Sequence, residues 1–182
     1  MKKMSNVKKA VIAAVCIALC YVLPLFFHGI QNAGSIFLPM HIPVFLCGLI
    51  CGWQYGLLCG IAGPILSSVL TGMPPVAKLP SMVIELAIYG VITGLMMKLI
   101  HTGKTYADLY ISLIVAMICG RIVAGCLQAF IFAAGTYSMG AWVTAYIVTR
   151  WPGTLIQLIF IPTIVVALMK SRIMPERYPK QK

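Results

Sequence analysis

Three ionisable residues, Glu85, Arg121 and Arg150, lie well inside long apolar runs of this sequence. A charge in such a run is strongly unfavourable in hydrocarbon unless it is paired or faces a polar cavity. The chemistry open to these residues is therefore ion pairing or ligand capture, and their neighbours favour capture. Tyr89 stands one helical turn from Glu85, Gln128 two turns from Arg121, and Tyr146 and Gln157 one and two turns either side of Arg150, so each charge shares a helix face with a polar group. Two cations against one anion leave a positive charge that calls for an external partner. The plainer alternative is an ion pair between Glu85 and one arginine that only locks helices together.

His28 and His41 fall at or beside one membrane surface, where an imidazole either contacts a ligand or caps a helix end. His41, flanked by Pro39 and Pro43, is the better ligand candidate because the chain must bend there. The seven cysteines (Cys16, Cys20, Cys47, Cys51, Cys59, Cys119, Cys126) all lie in apolar runs. Cys16/Cys20 and Cys47/Cys51 have the i, i+4 spacing of a metal pair, but no His or carboxylate joins them on those faces. They read as soft packing residues, and no metal or cofactor is expected. Gly103-Lys104-Thr105 resembles the end of a phosphate-binding loop, yet Lys98 stands where that motif needs glycine. ATP-driven work must then come from other subunits. Gly-x-Ser-x-Gly, His-Glu-x-x-His and paired intramembrane aspartates are all missing from the sequence, so the chain is not read as an enzyme.

The elements that must position these residues follow from composition. Of 182 residues 61% are hydrophobic and 9% charged, against roughly 25% charged in soluble domains. The chain reads as all-α, a single membrane domain over residues 1–182 with six transmembrane helices at about 9–27, 38–51, 54–70, 81–100, 107–134 and 141–169. The second is short, and Gly52-Trp53 leaves room only for a tight turn before the third. Residues 71–80, with three prolines and a glycine, form a loop. At about 1.5 Å per residue, Glu85 lies about 7 Å and Arg150 about 14 Å below the outer ends of their helices, with Arg121 near mid-bilayer.

The basic start followed by an apolar run imitates a signal peptide, but bulky Leu19 before Cys20 and the continuing run argue for a retained first helix. Net charge is +11. Nearly all of it sits in the N-terminal tail, the 101–106 gap and the C-terminal tail, leaving Lys78 alone among the opposite loops. These are topology signals, with attraction to membrane lipid as a by-product, and not a nucleic-acid footprint. They place both termini in the cytoplasm and the chain in the cell membrane as a multi-pass protein.

Ala10, Ala14 and Ala18 repeat at four-residue spacing on helix one, and Gly48, Gly52, Gly56 and Gly60 repeat it across helices two and three. Small residues so spaced let helices approach closely. The glycines suit internal packing, whereas the alanines also suit a partner. An ordered series accompanies them: Leu38-Pro39-Met40-His41-Ile42-Pro43-Val44, Gly48, Gly52, Tyr55-Gly56, Gly60, Pro64, Ser67-Ser68, Thr71-Gly72-Met73-Pro74 and Glu85-Leu86-Ala87-Ile88-Tyr89-Gly90.

With that series, nearly the whole chain resembles an S component, the six-helix substrate-binding subunit of an energy-coupling factor (ECF) vitamin importer. The resemblance implies that Ala10, Ala14 and Ala18 dock on a transmembrane T subunit served by two ATPase subunits. It also implies that a water-soluble vitamin binds near the outer face. The substrate-binding candidates read from the residues are His41, Glu85, Tyr89, Arg121, Gln128, Tyr146 and Arg150. Their charge suits an anionic or zwitterionic compound, pantothenate first and a vitamin B6 form second. The competing readings are an intramembrane enzyme with Glu85 or His41 as base, and a self-associating membrane protein that uses its small-residue stripes.

Overall fold

The structure is a computed structural model that describes residues 4–26, 33–127, 140, 143–144, 148–171, 173–175 and 178. Its described helices are α1 (Asn6–Leu25), α2 (Ala33–Phe37), α3 (His41–Cys51), α4 (Trp53–Thr71), α5 (Leu79–Leu99), α6 (Thr105–Leu127) and α7 (Trp151–Lys170). Five of them, α1 and α4 to α7, have 19 to 23 residues and are apolar enough to cross a bilayer. At about 1.5 Å per residue, each spans roughly the 30 Å of hydrocarbon. The protein is a polytopic, all-helical membrane protein.

Local chemistry sets the ends. Ser5 caps α1, its hydroxyl accepting from the Lys8 amide at 3.3 Å. Between α3 and α4 the chain turns on Gly52 alone, at φ +97°, a left-handed conformation that side chains resist. Ser67 and Ser68 donate to the carbonyls of Met73 and Pro74, each at 2.8 Å, and so tie the loop after α4 back onto that helix. Pro80 and Pro152 occupy the first turns of α5 and α7, where a missing N–H is harmless.

Two features differ from the sequence expectation. Residues 33–37, read as loop, form α2, and the second helix proper begins at His41. The last helix, expected as one run over 141–169, begins at Trp151 with Arg150 as its N-cap. Before it, the Thr149 amide donates to the Thr144 carbonyl at 2.9 Å, a wide turn five residues deep. Arg150 therefore sits at the start of α7 and not two to three turns down a continuous helix.

The centre of the bundle is α3, buried along almost all its length and packed by α1, α4, α5 and α7. Glycines let the backbones touch. Gly56 of α4 and Gly90 of α5 face each other so closely that a Cβ on either would run into the other's backbone, and Gly48 of α3 meets the same Gly90 carbonyl. Gly60 lies against the backbone of Leu86, and Gly94 against that of Trp53. Three members of the glycine repeat are thus packing residues inside the bundle, while Gly52 is the turn.

Hydrogen bonds sort the ends. Cys51 Sγ donates to the Lys9 carbonyl at 3.5 Å, placing the start of α1 beside the end of α3. Asp108, fully buried in the first turn of α6, accepts from the Thr102 amide and hydroxyl at 2.9 and 2.6 Å and from the Tyr178 hydroxyl at 2.8 Å. Lys8, Lys9, Lys98, Lys104 and Lys170 gather at this end, whereas Lys78 and Arg150 lie toward the other.

Candidate functional site

The site forms where α3, α5, α6 and the start of α7 converge, away from the lysine-rich end. Glu85 is the hub. It lies nearly two turns into α5 and is 3% exposed, and its Oε1 accepts from Arg150 Nη1 at 2.5 Å and from the Tyr89 hydroxyl at 2.9 Å. The Tyr89 bond is the i, i+4 neighbour relation of one helix face. The Arg150 bond joins residues 65 apart in sequence and clips the start of α7 to α5. A guanidinium and a phenol both donate to the one carboxylate oxygen, and this pairing is what allows the charge to remain in a low-dielectric interior.

Tyr89 is fixed by packing as well. Its ring lies 4.9 Å from that of Phe45 and 5.4 Å from that of His41, centroid to centroid. On the remaining side it rests on Gly120 of α6, where any side chain would collide with the ring. His41 is 2% exposed, with Nε2 3.7 Å from Glu85 Oε1, beyond hydrogen-bond reach.

Arg121 follows Gly120 on α6. Its Nη2 donates to the Thr154 hydroxyl, and Thr154 donates in turn to the Arg150 carbonyl at 2.8 Å. Thr154 thus links the two arginines, a role the sequence reading missed; its place one turn after Arg150, behind Pro152, was the available signal. The Arg121 Nε is buried without a hydrogen-bond partner, and among the described residues no carboxylate pairs with Arg121. Gln157 is 1% exposed, and its amide donates to the Leu38 carbonyl at 3.4 Å, at the entry to α3.

The structure therefore brings together five of the seven expected binding residues: His41, Glu85, Tyr89, Arg121 and Arg150. Gln128 and Tyr146 lie outside the described residues. Glu85 contributes one negative charge and the two arginines one positive charge each, so the cluster carries a net +1 with His41 neutral.

The alanine stripe lies on another face. Ala10, Ala14 and Ala18 are all exposed, while Ala13, Cys16 and Cys20 of the same helix point into the core. Val7, Val11 and Val15 extend the exposed strip to 75%, 59% and 54% of their surface. The seven cysteines are free thiols, five of them buried. Among the described residues no group of three or more His, Cys, Asp or Glu is arranged to hold a metal ion.

Comparison with curated proteins returned no match. A protein family described as ECF transporter, substrate-specific component, matches residues 8–172, nearly the whole chain. The match spans the four later long helices, all but the first two residues of α1, the buried charge cluster and the alanine stripe. With that coverage, the chain belongs to the substrate-specific components of ECF transporters, the non-catalytic membrane subunits that bind substrate for uptake in partnership with an energising module.

Proposed function

We propose that this subunit captures a small, water-soluble anionic or zwitterionic compound, pantothenate first and a vitamin B6 form second, at the end of the bundle away from its lysines. Arg121 carries the reading: a guanidinium with a buried, unpartnered Nε and no carboxylate among the described residues, beside a Glu85–Arg150 pair that is already satisfied. In this assignment Arg121 takes the carboxylate of the ligand. Arg150, oriented by Glu85, supplies the second positive charge, and His41 and Tyr89 line the polar wall. Gln128 and Tyr146 complete the set. The lysine-rich end faces the cytoplasm, following the positive-inside rule.

The test is titration calorimetry of purified protein with pantothenate, beside melting in detergent. Arg121→Ala is expected to weaken binding about ten- to more than hundredfold, since a charge-assisted contact is worth roughly 1.5 to 3 kcal/mol. Arg121→Lys should recover only part, because lysine keeps the charge but loses the planar fork. Unchanged affinity in Arg121→Ala would remove Arg121 from the site.

The same proposal assigns Ala10, Ala14 and Ala18 to docking on a T subunit that works with two ATPase subunits. Their outward orientation supports this, because an exposed stripe of methyl groups lets another helix approach closely. Ala14→Leu is expected to reduce cellular uptake several-fold while ligand affinity of the isolated subunit survives. Equal loss of uptake and affinity would contradict docking, and loss of self-association alone would favour a contact between copies of this chain.

A further inference from the structure

His41 opens α3 deep in the protein, yet neither its Nδ1 nor its Nε2 has a hydrogen-bond partner among the described residues. Buried polar atoms are rarely left so. The groups that act on the ring come from α5, α6 and the start of α7. From α5 come the Glu85 carboxylate, 3.7 Å from Nε2, and the Tyr89 phenol; from α6 and the start of α7 come the Arg121 and Arg150 charges. On α1 the Cys20 thiol donates to the carbonyl of Met40, the residue before His41.

In the empty site the cluster already carries +1, and an imidazolium would raise it to +2 in a low-dielectric setting. A bound monoanion cancels one guanidinium, and protonating His41 then only restores the +1 of the empty site. Glu85 stands where it can stabilise that proton. We infer that an anionic ligand is taken into this site together with a proton, which binds His41 Nε2 and is donated to Glu85 Oε1. The proton comes from solvent and the imidazole is its final carrier, so no bond other than N–H is made. This rests on the reading that the site receives an anion at Arg121, and it adds that the occupied protein holds about one more proton than the empty one.

The experiment is calorimetric titration of the full-length protein with pantothenate, whose carboxylate stays ionised above about pH 5.5. It is run in buffers of low and high ionisation enthalpy, from about pH 5.5 to pH 8, where an imidazole titrates. The expected result is an observed enthalpy that varies with the buffer, reporting uptake approaching one proton per ligand. Affinity should fall by up to about tenfold per pH unit as pH rises between the His41 titrations of the empty and occupied protein. His41→Gln should bind more weakly, with heat independent of the buffer.

Pantothenol, the alcohol lacking the carboxylate, should show no proton uptake. Pantothenate binding with buffer-independent heat and pH-independent affinity would overturn the inference while leaving the anion site standing. If pantothenate is silent, pyridoxal 5′-phosphate takes its place; its phosphate, largely dianionic above about pH 6, offsets both guanidinium charges and should favour the His41 proton at least as strongly, with the phosphate's own titration subtracted through His41→Gln. Silence with both would overturn the anion site and the inference together.

Discussion

Arg150→Ala is expected to lower stability in detergent by about 3 to 5 kcal/mol, the usual result of stripping one partner from a buried ion pair. The effect is large because Glu85 is almost wholly buried and, among the described residues, keeps only the Tyr89 hydroxyl as a hydrogen-bond donor once Arg150 Nη1 is gone. An unpaired carboxylate in that place also repels an incoming anion, so pantothenate affinity should fall at least as far as in Arg121→Ala. Removing the charge as well, in Glu85→Gln with Arg150→Ala, should recover most of the melting temperature, because two neutral groups leave no stranded ion. Affinity should recover less, since one cation remains missing. Melting and calorimetry on the two single variants and the pair decide the matter. If every arginine variant melts lower but binds pantothenate as tightly as the parent, the charges are architecture and the anion site is lost.

The second large effect falls on a residue with no polar chemistry. Gly90→Val should destabilise the protein by about 3 kcal/mol, the upper part of the range for overpacking a tight interface. The new Cβ would meet the Gly56 backbone, which cannot rotate aside as a flexible side-chain end can, so α4 and α5 must separate. Gly90 directly follows Tyr89 and stands about a turn from Glu85 on the same helix, so the shift also displaces the hub of the site, and ligand affinity falls with stability. Gly34→Ala, at a position with open space around it, is the matched control and should melt like the parent. A parental melting temperature for Gly90→Val would mean that the helices do not touch there.

How much of this was legible beforehand depended on which signals are local. Hydropathy over some 20 residues located the spans, and the Gly52 turn was readable because a single glycine between two apolar runs leaves no other connection. Glu85 and Tyr89 were readable as one face because helical periodicity places residues four apart side by side. The partnership of Glu85 with Arg150 across 65 residues was legible only as an electrostatic need, without its geometry. Residues 33–37 were hidden because five residues are too few for a period to show. The turn at 149–150 that precedes α7 was not legible because apolar composition continues through 141–150, although Pro152 marked the first turn. Asp108 was passed over near a helix start, where a carboxylate is ordinary, and its burial against Thr102 and Tyr178 emerges only when the C-terminal segment folds back.

The shortness of α3 bears on energy as well as shape. Its 11 residues rise only about 16 Å, roughly half the hydrocarbon thickness, with Cys51 beside Lys9 at the basic end and His41 at the other. A site at the level of His41 therefore lies part-way down the voltage drop across the bilayer. With the basic end on the negative side, an anion descending to it from the positive side moves against the field. Half of a 100 mV potential opposes each negative charge by about 1 kcal/mol. A ligand that arrives with its own proton travels as a neutral pair, and its capture is then indifferent to the membrane potential.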